Sequence, residues 1–364
     1  MRTAIPVNLL TGFLGSGKTT LLNRLLRSTA FAGCAVLINE FGDVGVDHHL
    51  VDAIGGRGAG GFAGEVVLLA SGCICCTIRG DVASTLRELH ARRDRGEVPA
   101  FDRVVIETTG LADPAPLVAT VMHDRVLQHH FRVGNVVTTV DAVNGLHNLA
   151  AHAESVKQVA LADRLILTQL DLIEPDAREA RRAQLMAQLG ALNPAAALND
   201  SGEPTETLAA LLVADAFDPA TKSAEVLRWL QAPRHRHYLA TATPRPSEPA
   251  SAHRDVRAFA VDLADAVDWT AFSVWLSLLL QVHGLRVLRV KGVLQVRGSD
   301  TPVVIHGVQQ LVHPPSHLAA WPASLPPDQR RSSVVFIVDG LAPQAIRASL
   351  TDFLQRHARH TETS

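Results

Sequence analysis

The chain has 364 residues, 47% of them apolar, and a formal net charge of −2, so it is long enough for two domains with real cores. That charge balance gives no footprint for a nucleic-acid or anionic-membrane partner. Four cysteines are too few for a secreted disulfide framework and suit a reducing compartment.

The first apolar run, AIPVNLLTGFLG behind Arg2, has some features of a signal peptide. It continues into GSGKTT, however, a motif that cleavage there would destroy. The later run FSVWLSLLLQV (272–282) is too short to cross a bilayer. A soluble, cytoplasmic protein is expected.

From residue 1 to about 230 short apolar strands alternate with helical segments. The predicted strands are IPVNLL (5–10), CAVLIN (34–39), EVVLLA (65–70), RVVIE (103–107), NVVTTV (135–140) and RLILT (164–168). TTLLNRLLRS and GDVASTLRELHARRDR between them have helical spacing. This alternation predicts an α/β fold, a parallel sheet with helices on both faces. IGGRGAGGF (54–62) reads as a mobile glycine-rich segment. Residues 232–254 turn to proline, serine and histidine and read as a linker. A smaller α/β domain follows, with a strand RAFAVDL (257–263) and a helix over 268–284. LRVLRVKGVLQV, TPVVIHGVQQLV and SSVVFIVDG read as a sheet with one exposed face, and a helix begins at PQAIRASL. The predicted division is 1–231, linker 232–254, and 255–364.

GFLGSGKT (12–19) matches G-x-x-x-x-G-K-[ST] between an apolar run and a helical pattern. Gly12, Gly15 and Gly17 let the backbone wrap an anion, with Ser16 and Thr20 in the same nucleotide-binding run. The helix N-terminus adds its positive dipole end. Lys18 would reach the β- and γ-phosphates, and Thr19 would hold Mg²⁺. Glu107, at the end of RVVIE, fits a role toward Mg²⁺ or its waters, and Lys18 and Glu107 are the expected catalytic pair. Gly110 could bring a backbone N–H near the γ-phosphate, while Asp113 fits a helix cap. Asp171 follows RLILT and could accept two hydrogen bonds from guanine; a plain helix cap is the alternative. The usual guanine motif is Asn-Lys-x-Asp, and here Gln169 replaces the lysine.

Cys73, Cys75 and Cys76 fall within four positions of SGCICC. Thiolates suit Zn²⁺ or Cu(I), and three of them leave one coordination position open. A buried turn or a redox pair is the alternative. Cys34 reads as core. LINEFGDVGVDHH (37–49) carries Glu40, Asp43, Asp47, His48 and His49 on an expected loop, a switch segment or a solvated acidic loop. His235, His237 and His253 read as solvated linker residues.

GFLGSGKTT, INEFGDVGVD, SGCICC, ETTGLADP, TQLD, LLQVHGLRVLRVKGVLQV and VVIHGVQQ together resemble the CobW family of phosphate-loop GTPases, proposed metal chaperones, over nearly the whole chain. The nickel chaperones of urease and hydrogenase are more distant. The resemblance implies a SIMIBI-type GTPase domain and a CobW-type C-terminal domain. It implies GTP and Mg²⁺ at Lys18 and Thr19, an E-x-x-G element at Glu107 and Gly110, and guanine read by Asp171, with Gln169 in the nucleotide site at the place of the family's lysine and Asn193 of LNPAA beside the base. Cargo metal, most naturally Zn²⁺ and next Co²⁺, would sit on Cys73, Cys75, Cys76 and Glu40 and pass to a client metalloprotein. A homodimer is compatible. The alternatives are a cobalt chaperone, an activator of one metalloenzyme such as a nitrile hydratase, a sensor or storage protein, and an NTPase with structural cysteines. The histidine-rich run of many members is reduced here to RHRHY.

Overall fold

The computed structural model describes residues 4–38, 65–68, 74–214, 255–323, 325–326 and 330–362, with only the backbone for 65–68, 74–81 and 360–362. The chain forms two compact units, Met1–Gln188 with Ala196–Ala216, and Leu189–Ala195 with Phe217–Ser364.

The first unit is built on seven strands: β1 Ile5–Gly12, β2 Cys34–Ile38, β3 Glu65–Leu68, β4 Arg103–Glu107, β5 Phe131–Asp141, β6 Arg164–Thr168 and β7 Ala197–Asp200. Their order is β3-β2-β4-β1-β5-β6-β7, and every pairing is parallel. The expected α/β fold is therefore what forms. Strands covered on both faces have no polar side to show, which is why they read as continuous apolar runs. One face, with Leu10, Val36, Val105, Val137 and Ile166, packs on Leu21, Leu22 and Leu25 of the helix Lys18–Leu25 and on Leu208 and Leu212 of the helix Thr205–Val213. On the other face the helix Ala153–Leu161 packs on β1 and β5, and the helix Ala115–His123 packs on β5.

Some boundaries differ from the sequence reading. β1 runs on to Gly12 and β5 spans Phe131–Asp141. β7 is short and half-buried along its length, so its apolar signal is weak. Asn8, fully buried in mid-strand, accepts from the Asn135 N–H at 2.6 Å, where the β1–β5 register shifts. The helix expected from Gly80 begins at Ile74 and ends at Asp94. Cys75 and Cys76 are thus in its first turn.

The second unit holds a six-stranded antiparallel sheet of β8 Val256–Leu263, β9 Val287–Leu294, β10 Val303–Val308, β11 Leu311–Val312, β12 Ser316–His317 and β13 Ser332–Asp339. Phe272, Trp275 and Leu280 of the helix Trp269–His283 join Ile346 and Leu350 of the helix Pro343–Glu362 over one face. The expectation of one exposed face fails for β9 and β10, while β13 alternates between buried and half-buried residues over its first half. Every residue of β9 and of β10 is buried, because Leu318, Trp321 and Leu325 pack on Val293 and Val304 from the second side. β8 alternates in burial as expected of an edge strand. Among the described residues no helix is long and apolar enough to cross a membrane. The linker and the glycine-rich segment at 54–62 lie outside the described residues.

Candidate nucleotide site at the end of the parallel sheet

The loop after β1 takes its shape from three glycines. Gly12, Gly15 and Gly17 have φ of 146°, 72° and 78°, a region that side chains with a Cβ rarely enter. At Gly12 a Cβ would also lie 2.3 Å from Thr139 Oγ1. The loop leads directly into the helix Lys18–Leu25, with Gly17 at its N-cap.

Lys18 is 8% exposed. Its Nζ donates to Gly12 O at 2.8 Å and Phe13 O at 3.1 Å, so the ammonium is held under the loop by carbonyls. Burial pulls its pKa below the ordinary lysine value, and the Glu107 carboxylate partly offsets that. Thr19 Oγ1 donates to Glu107 Oε1 at 2.6 Å. The last residue of β4 and the first turn of the helix therefore put two hard oxygen ligands side by side, the donor chemistry that Mg²⁺ takes. Gly110 is buried with its backbone against Leu14, where a Cβ would stand 2.7 Å from Leu14 Cα and N. Gln158 Nε2 donates to Gly110 O and Ala112 O, both at 3.0 Å. Asp113 Oδ1 accepts from the Ala115 N–H at 2.9 Å, as a cap for that helix start.

Ser16 is buried and its Oγ is 2.7 Å from Thr139 Oγ1. Thr20 is exposed on the helix. Gln169 and Asp171 follow β6. Gln169 has φ of 60°, and Asp171 is exposed in the short 3₁₀ turn Leu170–Leu172. Asn193, in the segment Leu189–Ala195, is 1% exposed and accepts from the Ala195 N–H at 3.2 Å. The structure thus brings Lys18, Thr19, Glu107, Gly110, Ser16 and Gln169 to one loop. Sequence reasoning missed a tier of threonines that supports it. Thr139 and Thr168 hold Ser16, and Thr108 Oγ1 donates to Thr11 Oγ1 at 2.8 Å. The available signal was hydroxyls at the carboxyl ends of apolar strands, in TTVD, ILT and IETT.

For the metal candidates, Glu40 and Cys73 lie outside the described residues, as do Asp43, Asp47, His48, His49 and the linker histidines. Cys75 and Cys76 are described by backbone only. Among the described residues no group of three or more His, Cys, Asp or Glu could hold a metal. Cys34 is fully buried, and burial pushes its thiol up to about 12, the nearby Arg103 charge lowering it and Asp102 raising it. A thiol of that kind is a packing group.

Fold and loop together define a phosphate-loop nucleotide-binding protein. Residues 6–198 match the CobW/HypB/UreG nucleotide-binding domain, and residues 256–354 match the cobalamin synthesis protein cobW C-terminal domain. The chain belongs to the CobW family and is a GTPase. It is 31% identical over 345 residues to the zinc chaperone YjiA of Escherichia coli (strain K12), covering 95% of this chain and 97% of that one. It is 36% identical over 185 residues to zinc-regulated GTPase metalloprotein activator 1 of Schizosaccharomyces pombe, covering 50% of this chain and 43% of that protein. A crystal structure of Zn(II)-bound YjiA GTPase from E. coli matches 97% of this chain and 99% of that one, with TM-score 0.66 at 26% identity.

Proposed function

We propose that this GTPase is a zinc metallochaperone, which binds Zn²⁺ through Cys73, Cys75 and Cys76 with Glu40 and passes it to a client metalloprotein in the cytoplasm. Residues 1–231 are the GTPase domain, 232–254 the linker and 255–364 the C-terminal domain. Lys18 holds the β- and γ-phosphates once its ammonium leaves the loop carbonyls. Thr19 and Glu107 hold Mg²⁺, which when bound neutralises developing phosphate charge. Gly12, Gly15, Ser16, Gly17, Thr20 and Gly110 line the phosphates. Asp171, with Asn193 beside the base, reads guanine, and Gln169 belongs to the same nucleotide site. Neither nucleic acid nor membrane is a partner, and self-association as a homodimer is compatible with the reading. The names of the relatives, two of them zinc proteins, support zinc over cobalt.

One observation carries the link between nucleotide and metal. Leu10 is in register with Glu107, Glu107 with Ile38, and Ile38 with Leu68. These four residues form one row across β1, β4, β2 and β3. Strands in a sheet lie about 4.8 Å apart, so the row is only about 14 Å long. The phosphate loop leaves from one end of it. The segment with Glu40 leaves from Ile38, and the segment with Cys73 leaves from Leu68 at the other end. Glu107 stands between them, bonded to Thr19. Nucleotide state at Thr19 and Glu107 therefore has a short route to both metal-bearing segments.

Linkage makes the coupling reciprocal: GTP must change zinc affinity by the factor by which zinc changes GTP affinity. A competition titration of Zn²⁺ with GDP and with a non-hydrolysable GTP analogue tests it. A ratio above about fivefold is expected. Equal affinities would refute nucleotide-controlled transfer, and zinc binding that survives loss of all three cysteines would refute the assigned site.

A further inference from the structure

Gln169 stands where the family motif has lysine, beside the residue expected to read the base. Its side chain goes elsewhere. Nε2 donates to Gly15 O at 2.8 Å, a carbonyl of the phosphate loop. The peptide joining Gly15 to Ser16 is held at its other edge too, since the Ser16 N–H donates to Phe13 O at 3.1 Å. The next peptide is held by the preceding residue: Thr168 Oγ1 donates to Ser16 O at 2.7 Å. Two consecutive side chains at the end of β6 thus fix two consecutive peptide planes of the loop. A trans peptide carries its C=O and N–H on opposite edges. Holding Ser16 O toward Thr168 therefore turns the Gly17 N–H the other way and sets the orientation of the cradle.

The backbone is shaped for this contact. Gln169 has φ of 60°, a conformation that a residue with a side chain adopts at some strain. Gly17 also has positive φ, and a Cβ there would be 3.7 Å from Gln169 Nε2. Among the described residues, Gln169 and Gln309 alone combine a side chain with positive φ.

We propose that Gln169 is a positioning residue for the phosphate loop and not a reader of the base. The inference rests on the nucleotide site described above. A neutral amide suffices for the task, because the acceptor is a carbonyl and not a phosphate. The affinity Gln169 supplies should then be independent of which base the nucleotide carries.

The test is equilibrium binding of Mg²⁺–GTP and Mg²⁺–ITP to the full chain and to Gln169→Ala, Gln169→Gly and Gln169→Lys. Inosine lacks the exocyclic amine of guanine, so the GTP-to-ITP ratio reports base reading alone. Loss of one neutral hydrogen bond corresponds to about a two- to tenfold drop in affinity. Both Gln169→Ala and Gln169→Gly are expected to lose that factor for GTP and ITP alike, leaving the ratio unchanged. Gln169→Lys, whose ammonium can reach the same carbonyl, is expected to bind within about twofold of the parent. Three results would overturn the proposal: a loss for GTP with none for ITP, a loss in Gln169→Ala that Gln169→Gly restores, or no loss in either. The first assigns Gln169 to the base, and the second assigns the effect to backbone strain. Failure of the parent chain to bind GTP at all would instead sink the nucleotide site itself.

Discussion

Two glycine-to-alanine substitutions in the GTPase domain should move stability in opposite directions. At Gly110 a Cβ would stand 2.7 Å from Leu14 Cα, N and Cδ2. Carbon contacts are comfortable at about 3.5–4.0 Å, so the two segments must part by about 0.8 Å. Two of the three atoms are backbone of the phosphate loop, which no rotamer change can relieve. Overpacking of this kind costs about 1–3 kcal/mol, equivalent to about 3–10 °C of thermal midpoint in a domain of this size. Displacing Leu14 also disturbs the loop that must cradle phosphate, so GTP affinity should fall with stability. Gly190 lies inside the helix Pro175–Leu192 with nothing within 4 Å of its Cβ position. There alanine only restricts the unfolded chain and favours helix, a gain of about 0.5–1 kcal/mol. Differential scanning calorimetry with GTP titration measures both. The packing argument is refuted if Gly110→Ala keeps the parent midpoint and affinity, or if Gly190→Ala is the more damaging of the two.

Further outcomes follow from the same geometry. Burial raises the Cys34 thiol to about 12, so iodoacetamide at about pH 8 should spare it in native protein while unfolded chain is labelled there; mass spectrometry of native Cys34 labelling at the unfolded rate would contradict its burial. The pKa of Lys18 lies below that of ordinary lysine. If GTP needs the ammonium, affinity should begin to fall at lower pH in the parent chain than in Lys18→Arg, whose guanidinium stays charged; coincident pH profiles for the two would count against it. Trp321→Ala should destabilise the C-terminal unit by about 3–5 kcal/mol in denaturant unfolding, as expected for a core aromatic. A change under about 0.5 kcal/mol would mean that the second face of the sheet is not a core.

The phosphate loop could be read from sequence because glycine, lysine and threonine there answer to backbone geometry within eight residues. The parallel sheet could be read because strands buried on both faces have no polar face to interrupt the apolar run. What stayed hidden depends on partners distant in sequence. Thr139 and Thr168 look like ordinary strand-end residues until Ser16 is placed against them. Gln169 reads as a departure from a base-recognition motif until its amide is seen on Gly15 O. The one-faced reading of β9 and β10 missed the layer of Leu318, Trp321 and Leu325. That segment has no regular period over those residues, and it covers strands whose own pattern alternates only weakly. Arg289 and Lys291 of β9 and His306 of β10, all buried, mimic the polar side of an exposed sheet. The start of the helix at Ile74 was obscured by a cysteine run that carries a metal signal more strongly than a helical one.

The sheet order has a consequence for synthesis. β1 carries the phosphate loop and emerges ahead of the other strands, yet its neighbours are β4 and β5, which begin at Arg103 and Phe131. At about 5–20 residues per second, on the order of ten seconds separate its emergence from that of its second neighbour. Until β4 emerges the apolar run IPVNLL has neither edge protected, and until β5 emerges it has one edge open, and such unpaired strands are prone to aggregate. The phosphate loop is thus tied to the part of the chain that waits longest for its partners, and the yield of active protein should respond to the speed of translation through residues 103–141.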